Sequence, residues 1–135
     1  MKYTGEFELK RATGGSAGFD LSVNEDVILA PGEHDLVSTG TRVAIPDGHV
    51  GFVFTRSSLG ARYGIALRNG TGVIDSDYRG EIALALVNNG ADTIALDRGE
   101  RVAQLVVVPF HGEAERVETL DGTERGEGGF GSTGR

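Results

Sequence analysis

The residues best suited to chemistry lie in one short stretch, residues 72–81, which reads Gly-Val-Ile-Asp-Ser-Asp-Tyr-Arg-Gly-Glu. Turns commonly contain Asp, Ser and Gly for backbone reasons alone, but a turn does not require Val-Ile leading into Asp-x-Asp-Tyr-Arg. Asp75 can act as a base, Tyr78 offers a stacking face, and Arg79 can contact an anion. We therefore interpret this stretch as one wall of a ligand site.

Two earlier stretches combine polar side chains with small residues. Asp20 lies in Ala-Gly-Phe-Asp-Leu at residues 17–21, which is weak evidence alone because an Asp in this setting is usually a turn or strand-end residue. Residues 55–60, Thr-Arg-Ser-Ser-Leu-Gly, follow an apolar strand. A helix starting there would present free N–H groups, and with Arg56 it would suit an anion. A capped helix with a surface Arg explains the two serines equally well.

Two further candidates lie towards the C-terminus. By strand spacing, Gln104 shares one face with Val102, Val106 and Val108, so it is either a core-edge amide bonded to the backbone or a ligand contact. Residues 125–134 read Arg-Gly-Glu-Gly-Gly-Phe-Gly-Ser-Thr-Gly, the composition of a flexible linker. A linker does not need Arg, Phe, Ser and Thr in this order. A glycine-rich segment can wrap a triphosphate with its N–H groups and become ordered only when the ligand is present.

Short strands must position these residues. Apolar side chains recur at every second position in residues 50–54, 82–86 and 102–108, and turn signals separate the runs at residues 31–32, 46–48, 69–70 and 88–90. This pattern predicts an all-β sandwich or jelly roll. Strands meeting across Asn69-Gly70 should form a hairpin. One short helix is predicted over residues 57–63, with Ser57 or Ser58 as N-cap and Gly64 as C-cap.

Composition indicates one acidic domain with a tail. The 135 residues fit a single domain, which we place at residues 1–121. Residues 122–135 contain six glycines among fourteen residues and cannot bury enough surface to fold alone. A net charge of −7 argues against nucleic-acid or anionic-membrane binding, and the absence of Cys excludes thiolate catalysis. The three His residues have no ligand spacing, and no signal peptide or spanning segment is visible. We therefore expect a cytoplasmic protein.

All five stretches resemble, in order and spacing, the signature motifs of the trimeric dUTPases, which convert dUTP to dUMP and pyrophosphate. Phe19 stands where the family has Tyr, and Ser58 stands where the second motif often has Gly. The tail resembles the family's C-terminal arm at every specified position. The resemblance spans residues 17–134 and implies a distorted jelly-roll or β-clip fold with a flexible C-terminal arm.

The resemblance implies roles for the nucleoside contacts. In the family, the residue matching Asp75 deprotonates the attacking water, and the residue matching Tyr78 lies against the deoxyribose. Uracil is read mainly by main-chain groups, and the corresponding residues here are Asn69, Gly72, Val73 and Ile74. Asp77 and Arg79 are expected to be structural.

The resemblance also implies how the phosphates are held. The matching phosphate contacts are Arg56, Ser57, Ser58, Gln104, Arg125, Gly131, Ser132 and Thr133. Phe130 matches an aromatic residue that stacks on uracil. Asp20 matches the residue that helps to hold Mg²⁺, mainly through water, while the triphosphate holds the metal directly. Family members are homotrimers, and each site is built from three chains.

Three other functions share parts of this pattern. A dCTP deaminase has the same fold and the Arg-Ser-Ser string, but deamination needs an acid/base group near C4, and no additional Glu motif of that kind is present. A regulatory protein on a dUTPase scaffold can carry an inserted domain, for which this chain has no room. A jelly roll without a ligand leaves the residue order of the tail unexplained.

Overall fold

A computed structural model describes residues 1–132 and 134, which form ten strands and one helix. In chain order these are β1 (Lys2–Thr4), β2 (Phe19–Ser22), β3 (Val27–Leu29), β4 (His34–Ala44), β5 (His49–Thr55), α1 (Ser57–Tyr63), β6 (Ile65–Leu67), β7 (Gly72–Ile74), β8 (Glu81–Asn88), β9 (Ile94–Leu96) and β10 (Arg101–Pro109).

The strands form two four-stranded sheets and one small sheet. The strand orders are β1-β4-β8-β6, β2-β10-β5-β7 and β3-β9, and all pairs are antiparallel. We call the first two the β8 sheet and the β10 sheet. One continuous aliphatic core includes Leu84 and Leu86 from the β8 sheet and Val53 and Leu105 from the β10 sheet. The prediction of an all-β sandwich with one short helix is confirmed.

Gln104 lies on the outer face of the β10 sheet. The pairing of β10 with β2 shifts register between Arg101 and Ala103, so that Val102 and Ala103 are both fully buried in the core. The bulge resets the alternation of inward and outward side chains. The expectation that Gln104 shares a face with Val102 was therefore wrong, because Gln104 follows the bulge and lies with the partly exposed Val106.

The turn at Asn69-Gly70 does not close a hairpin, contrary to the prediction. β6 pairs with β8, whereas β7 pairs with β5 in the other sheet. Gly70 has a φ of 75°, which suits a tight turn, but the turn carries the chain from one sheet to the other. β7 then leads back to β8, so this part of the chain lies at the junction of the two sheets.

Helix α1 has the predicted bounds but a different N-cap. Gly64 ends the helix with a φ of 72°, and its N–H donates to the carbonyl of Gly60, which confirms the C-cap. The N-cap is Arg56 and not Ser57 or Ser58, because the Arg56 carbonyl accepts the bonds that begin the helix. The two serines are instead exposed first residues of the helix.

After β10, the described residues form turns without further strands or helices. Between residues 122 and 132 the described backbone hydrogen bonds are local, such as those joining Gly126 to Thr123 and Ser132 to Gly129. The division into residues 1–121 and 122–135 stays a prediction. In the part of the chain that the structure describes, no helix is long and apolar enough to cross a membrane.

Candidate active site

A cleft of about 290 Å³ lies at the junction of the two sheets, where β7 returns to β8. The side chains of Asp75 and Tyr78 are solvent-exposed at this cleft. A carboxyl group and an aromatic face therefore stand in one concave site. The lining residues are Asn69, Gly72, Val73, Ile74, Asp75, Tyr78, Glu81, Ile82 and Ala83.

The loop that carries Asp75 and Tyr78 is held by its own arginine. The Arg79 guanidinium donates to the carbonyl of Ser76 at 2.6 Å and to the carbonyl of Tyr78 at 2.9 Å. Arg42 of β4 donates to the carbonyl of Arg79 at 3.1 Å, which ties the loop to the β8 sheet. These bonds support the interpretation of Arg79 as a structural residue.

Glu81 anchors the end of the same loop. Its carboxylate accepts hydrogen bonds from the hydroxyl of Ser38 and from the N–H of Gly40, the latter at 2.9 Å. The Ser38 hydroxyl is the main cause that lowers the pKa of Glu81, followed by the Gly40 N–H, with Arg42 adding a smaller effect. Because these groups stabilise the charged form, Glu81 holds β8 to β4 as a carboxylate.

A second polar cluster lies at the far edge of the β10 sheet. Asp20 of β2, whose side chain is 9% exposed, lies between two arginines. Its Oδ2 accepts a hydrogen bond from Nη1 of Arg101 at 2.9 Å, and its Oδ1 lies 3.5 Å from Nε of Arg56. We call these three residues the Asp20 cluster.

Gln104 borders the Asp20 cluster. It is in register with Asp20 on one side and with Phe54 on the other. Gly18 allows this packing, because a Cβ at that position would lie 2.5 Å from Oε1 and 2.9 Å from Cβ of Gln104. Ser57 and Ser58 follow Arg56 directly on α1. Three of the five stretches, those that contain Asp20, Arg56 and Gln104, therefore meet at one edge of the sheet.

The tail stands apart from both groups. Nε of Arg125 donates to the carbonyl of Gly128 at 2.8 Å, and Phe130 is fully exposed with a φ of 44°. Gly131 and Ser132 are also exposed. Thr133, the last of the predicted phosphate contacts, lies outside the described residues. A single chain thus brings three sets of predicted residues to three separate places.

Comparison with known proteins assigns the chain to a family. The sequence model of the dUTPase family matches residues 8–134. The chain belongs to the dUTPase family. It is 57% identical over 122 residues to the deoxyuridine 5'-triphosphate nucleotidohydrolase of Cutibacterium acnes, covering 89% of this chain and 80% of that protein. It is 47% identical over 128 residues to that of Corynebacterium glutamicum, covering 93% and 86%.

Solved structures of dUTPases share the fold. The dUTPase of Staphylococcus bacteriophage 80alpha with dUpNHpp superposes with a TM-score of 0.89 at 27% identity, covering 99% of each chain. The dUTPase from Streptococcus mutans superposes with a TM-score of 0.73 at 38% identity, covering 78% of this chain and 88% of that one. The jelly-roll prediction is thereby confirmed.

In this dUTPase-family chain, sequence reasoning missed two residues of the polar network. Arg101 was not named as a candidate, and Glu81 was included only as the last residue of the stretch that contains Asp75. The bulge in β10 that places Arg101 beside Asp20 has no Gly or Pro signal in residues 100–104. Glu81 accepts a hydrogen bond from Ser38, which lies 43 positions earlier in the chain, so no local pattern indicates the contact.

No group of three His, Cys, Asp or Glu side chains in the described residues could form a metal cage. Asp20 is the carboxylate of the cluster at the edge of the β10 sheet, and both of its oxygens already face a guanidinium. A carboxylate has about four lone-pair sites, so Asp20 can still accept a hydrogen bond from a metal-bound water. The donor set therefore fits a Mg²⁺ ion that the phosphates carry, because Mg²⁺ usually keeps several waters and few protein ligands.

Proposed function

We propose that this enzyme hydrolyses dUTP to dUMP and pyrophosphate by attack of water on the α-phosphorus. The main support is the cleft at the sheet junction, where an exposed carboxylate and a tyrosine ring share one small cavity with β7, an edge strand of the β10 sheet. Membership of the dUTPase family and the name of the Cutibacterium acnes relative support the same substrate.

In this proposal the cleft binds deoxyuridine. Asn69 and the main chain of Gly72, Val73 and Ile74 recognise the uracil edge, and Tyr78 lies against the deoxyribose. Asp75 takes a proton from the attacking water as the α-phosphorus–oxygen bond to the leaving pyrophosphate breaks. A general base in this role is typically worth a factor of about 10²–10⁴ in rate.

The edge of the β10 sheet binds the phosphates. The Asp20 cluster has two cations and one anion, and its net positive charge would attract a triphosphate. Arg56, Ser57, Ser58 and Gln104 supply the contacts, and Asp20 would meet a water of a phosphate-bound Mg²⁺. When bound, this metal offsets the negative charge of the phosphates.

The tail closes over the bound nucleotide. Phe130 stacks on uracil, Arg125 contacts the γ-phosphate, and Gly131, Ser132 and Thr133 enclose the phosphate chain. This assignment agrees with the exposure of Phe130, because an unpaired aromatic ring in a glycine-rich segment gains buried surface only when the segment docks on something else. Closure would exclude water other than the nucleophile.

We also propose that the enzyme is a homotrimer whose sites are shared between chains. Asp20 lies on β2, three strand spacings or about 14 Å from β7 across the β10 sheet, and the tail lies away from both. The outer face of this sheet carries a continuous apolar patch of exposed or partly exposed side chains. Its members, which we call the outer patch, are Val50, Phe52, Phe54, Val73, Val106 and Val108.

A patch of this kind marks an interaction surface. A second copy of the chain that covers the outer patch would bring its own site residues towards this chain's cleft or phosphate cluster. A small chain also gains buried surface by assembly. Nucleic acids and membranes are not proposed as partners.

The proposal is tested by measuring pyrophosphate release with dUTP, dTTP, dCTP and UTP side by side in the presence of Mg²⁺. We expect turnover of dUTP only. Release of ammonia from dCTP would instead identify a deaminase, and no turnover of any of the four nucleotides would contradict the proposed reaction. A parallel measurement with EDTA tests the requirement for Mg²⁺, since the carboxylates of the described residues form no cage of their own.

The proposed reaction has two consequences for the cell. Removing dUTP limits the incorporation of uracil into DNA, and the product dUMP is a precursor for thymidylate synthesis. We place this activity in the cytoplasm, where nucleotide precursors are made.

A further inference from the structure

We infer that Arg101 is a positioning residue that keeps Arg56 available to the phosphates by sharing the charge of Asp20. This inference rests on the proposed function, because it concerns how the same site binds a triphosphate. It assigns a role to a side chain outside the predicted phosphate contacts.

The Asp20 carboxylate contacts one of its two arginines more closely than the other. The bond from Arg101 to Oδ2 is short, at 2.9 Å, whereas Nε of Arg56 lies 3.5 Å from Oδ1. A nearly buried carboxylate needs a close partner, and Arg101 supplies it. Arg56 is therefore held near Asp20 without being fully occupied by it.

Arg56 has other bonds that fix its position. Its backbone N–H donates to the carbonyl of Val102 at 2.9 Å, and its Nη1 lies 3.4 Å from the carbonyl of Arg101, within hydrogen-bond distance. These contacts place the guanidinium at the start of α1. Arg101 thus affects Arg56 in two ways. Its carbonyl lies within hydrogen-bond distance of the Arg56 guanidinium, and its own guanidinium binds the carboxylate of Asp20 that would otherwise pair with Arg56 alone.

The bulge in β10 is what makes this arrangement possible. Val102 and Ala103 both turn into the core, and the residue before them, Arg101, is left with a side chain that is 48% exposed and reaches Asp20. Bulges commonly re-aim a side chain next to a functional site. A regular strand would alternate inward and outward through these residues.

Removal of Arg101 changes the charge that a phosphate meets. The Asp20 cluster has a net charge of +1 with both arginines ionised, and Asp20 with Arg56 alone has a net charge of zero. Asp20 would then draw Arg56 closer as its only partner. The loss of affinity should therefore grow with the charge of the ligand.

The test compares binding of dUpNHpp, a triphosphate analogue, and of dUMP by calorimetry with EDTA present, so that no metal offsets the charge of either ligand. For Arg101→Gln we expect the Kd for dUpNHpp to rise about tenfold, the size of effect expected when one charge-assisted hydrogen bond, here that from Arg101 to Asp20, is lost. For dUMP, with about half the charge, we expect about a threefold loss. Arg101→Lys should recover most of the affinity. Arg62→Gln, which removes an exposed cation of α1, should stay within about twofold of the wild type.

The dependence of the two Kd values on salt concentration distinguishes an electrostatic role of Arg101 from a purely structural one. The difference between wild type and Arg101→Gln should shrink as salt is raised, because screening weakens charge effects. Equal losses for both ligands, a loss that salt does not change, or no loss at all would overturn the inference. A wild-type protein that binds neither ligand would instead overturn the proposed function.

Discussion

The hydroxyl of Tyr78 donates a hydrogen bond to the carbonyl oxygen of Glu81 at 2.9 Å, and it does so directly over Gly80. A Cβ at Gly80 would lie 2.2 Å from that hydroxyl oxygen and 2.3 Å from Cζ of the ring. The ring position that we assign to the deoxyribose therefore depends on the absence of a side chain at residue 80.

Replacing Gly80 with Ala should displace Tyr78 from the cleft. Because the ring would then no longer lie where the sugar binds, we expect kcat/KM for dUTP to fall by at least about tenfold, a cost of about 1.4 kcal/mol, and discrimination against UTP to weaken. Pyrophosphate release with both nucleotides measures this. Gly14→Ala is the matched control, because a Cβ added at Gly14 would meet no atom within 4 Å apart from those of its chain neighbours. If Gly80→Ala still discriminates between dUTP and UTP as the wild type does, Tyr78 does not contact the deoxyribose in the way proposed.

Replacing Asp75 with Asn should separate binding from turnover. The amide keeps the size of the side chain but cannot accept a proton from water, so kcat should fall by about 10²–10⁴ while dUpNHpp still binds. Asp77→Asn is a close control, because Asp77 is an exposed carboxylate two residues away on the same loop. Near-normal turnover in Asp75→Asn, or an equal loss in Asp77→Asn, would contradict the base assignment.

The sequence was sufficient for elements that depend on local rules. Period-two alternation identified the inward face of β8, and Gly64 identified the end of α1, because both signals arise within a few residues. Asp75 and Tyr78 were proposed as site residues because their types are unusual for turns, and the structure places both at one cleft.

Other features depend on contacts that a linear pattern does not contain. The change of sheets at Asn69-Gly70 is decided by which strands pair, and a turn signal is the same whether or not it closes a hairpin. The bulge before Gln104 and the partners of Asp20 likewise depend on packing between distant parts of the chain. The tail's motif indicates a function, but a single chain does not show where the tail docks.

Glu81 should make stability depend on pH in the acid range. Its folded-state pKa lies below the ordinary value of 4.5, mainly because of the Ser38 hydroxyl. A carboxylate with a lowered pKa contributes stability that is fully present above its unfolded pKa and is lost as the pH falls through the folded-state pKa. Unfolding midpoints from about pH 6 to about pH 3 should therefore fall more in the wild type than in Glu81→Gln.

The control for this prediction is Glu113→Gln, which neutralises an exposed carboxylate beyond β10. Its acid profile should follow that of the wild type. If Glu81→Gln and the wild type lose stability in parallel between neutral and acid pH, the bonds from Ser38 and Gly40 do not contribute to folding.

Deletion of residues 122–135 should abolish turnover but leave the fold intact. The side-chain hydrogen bonds of the described tail are local, such as those from Arg125 to Gly128 and from Gly126 to Thr123, so the unfolding midpoint should change little. Circular dichroism and pyrophosphate release measure the two effects.

Mixed oligomers of the deleted chain with Asp75→Asn should regain part of the activity, since the tail and the base would act from different chains. No regain would show that each chain uses its own tail.

Replacing Phe52 with Asp should break the proposed homotrimer. Phe52 lies centrally in the outer patch, in register with Val73 on one side and Val106 on the other, and burying an unpaired carboxylate there would cost several kcal/mol. Sedimentation at micromolar concentration should show trimers for the wild type and monomers for Phe52→Asp, with turnover lost as the chains separate. Ile28→Asp, an exposed apolar residue of the separate β3-β9 sheet, should remain trimeric and active. A wild-type monomer, or an active trimer of Phe52→Asp, would show that the outer patch does not assemble the site.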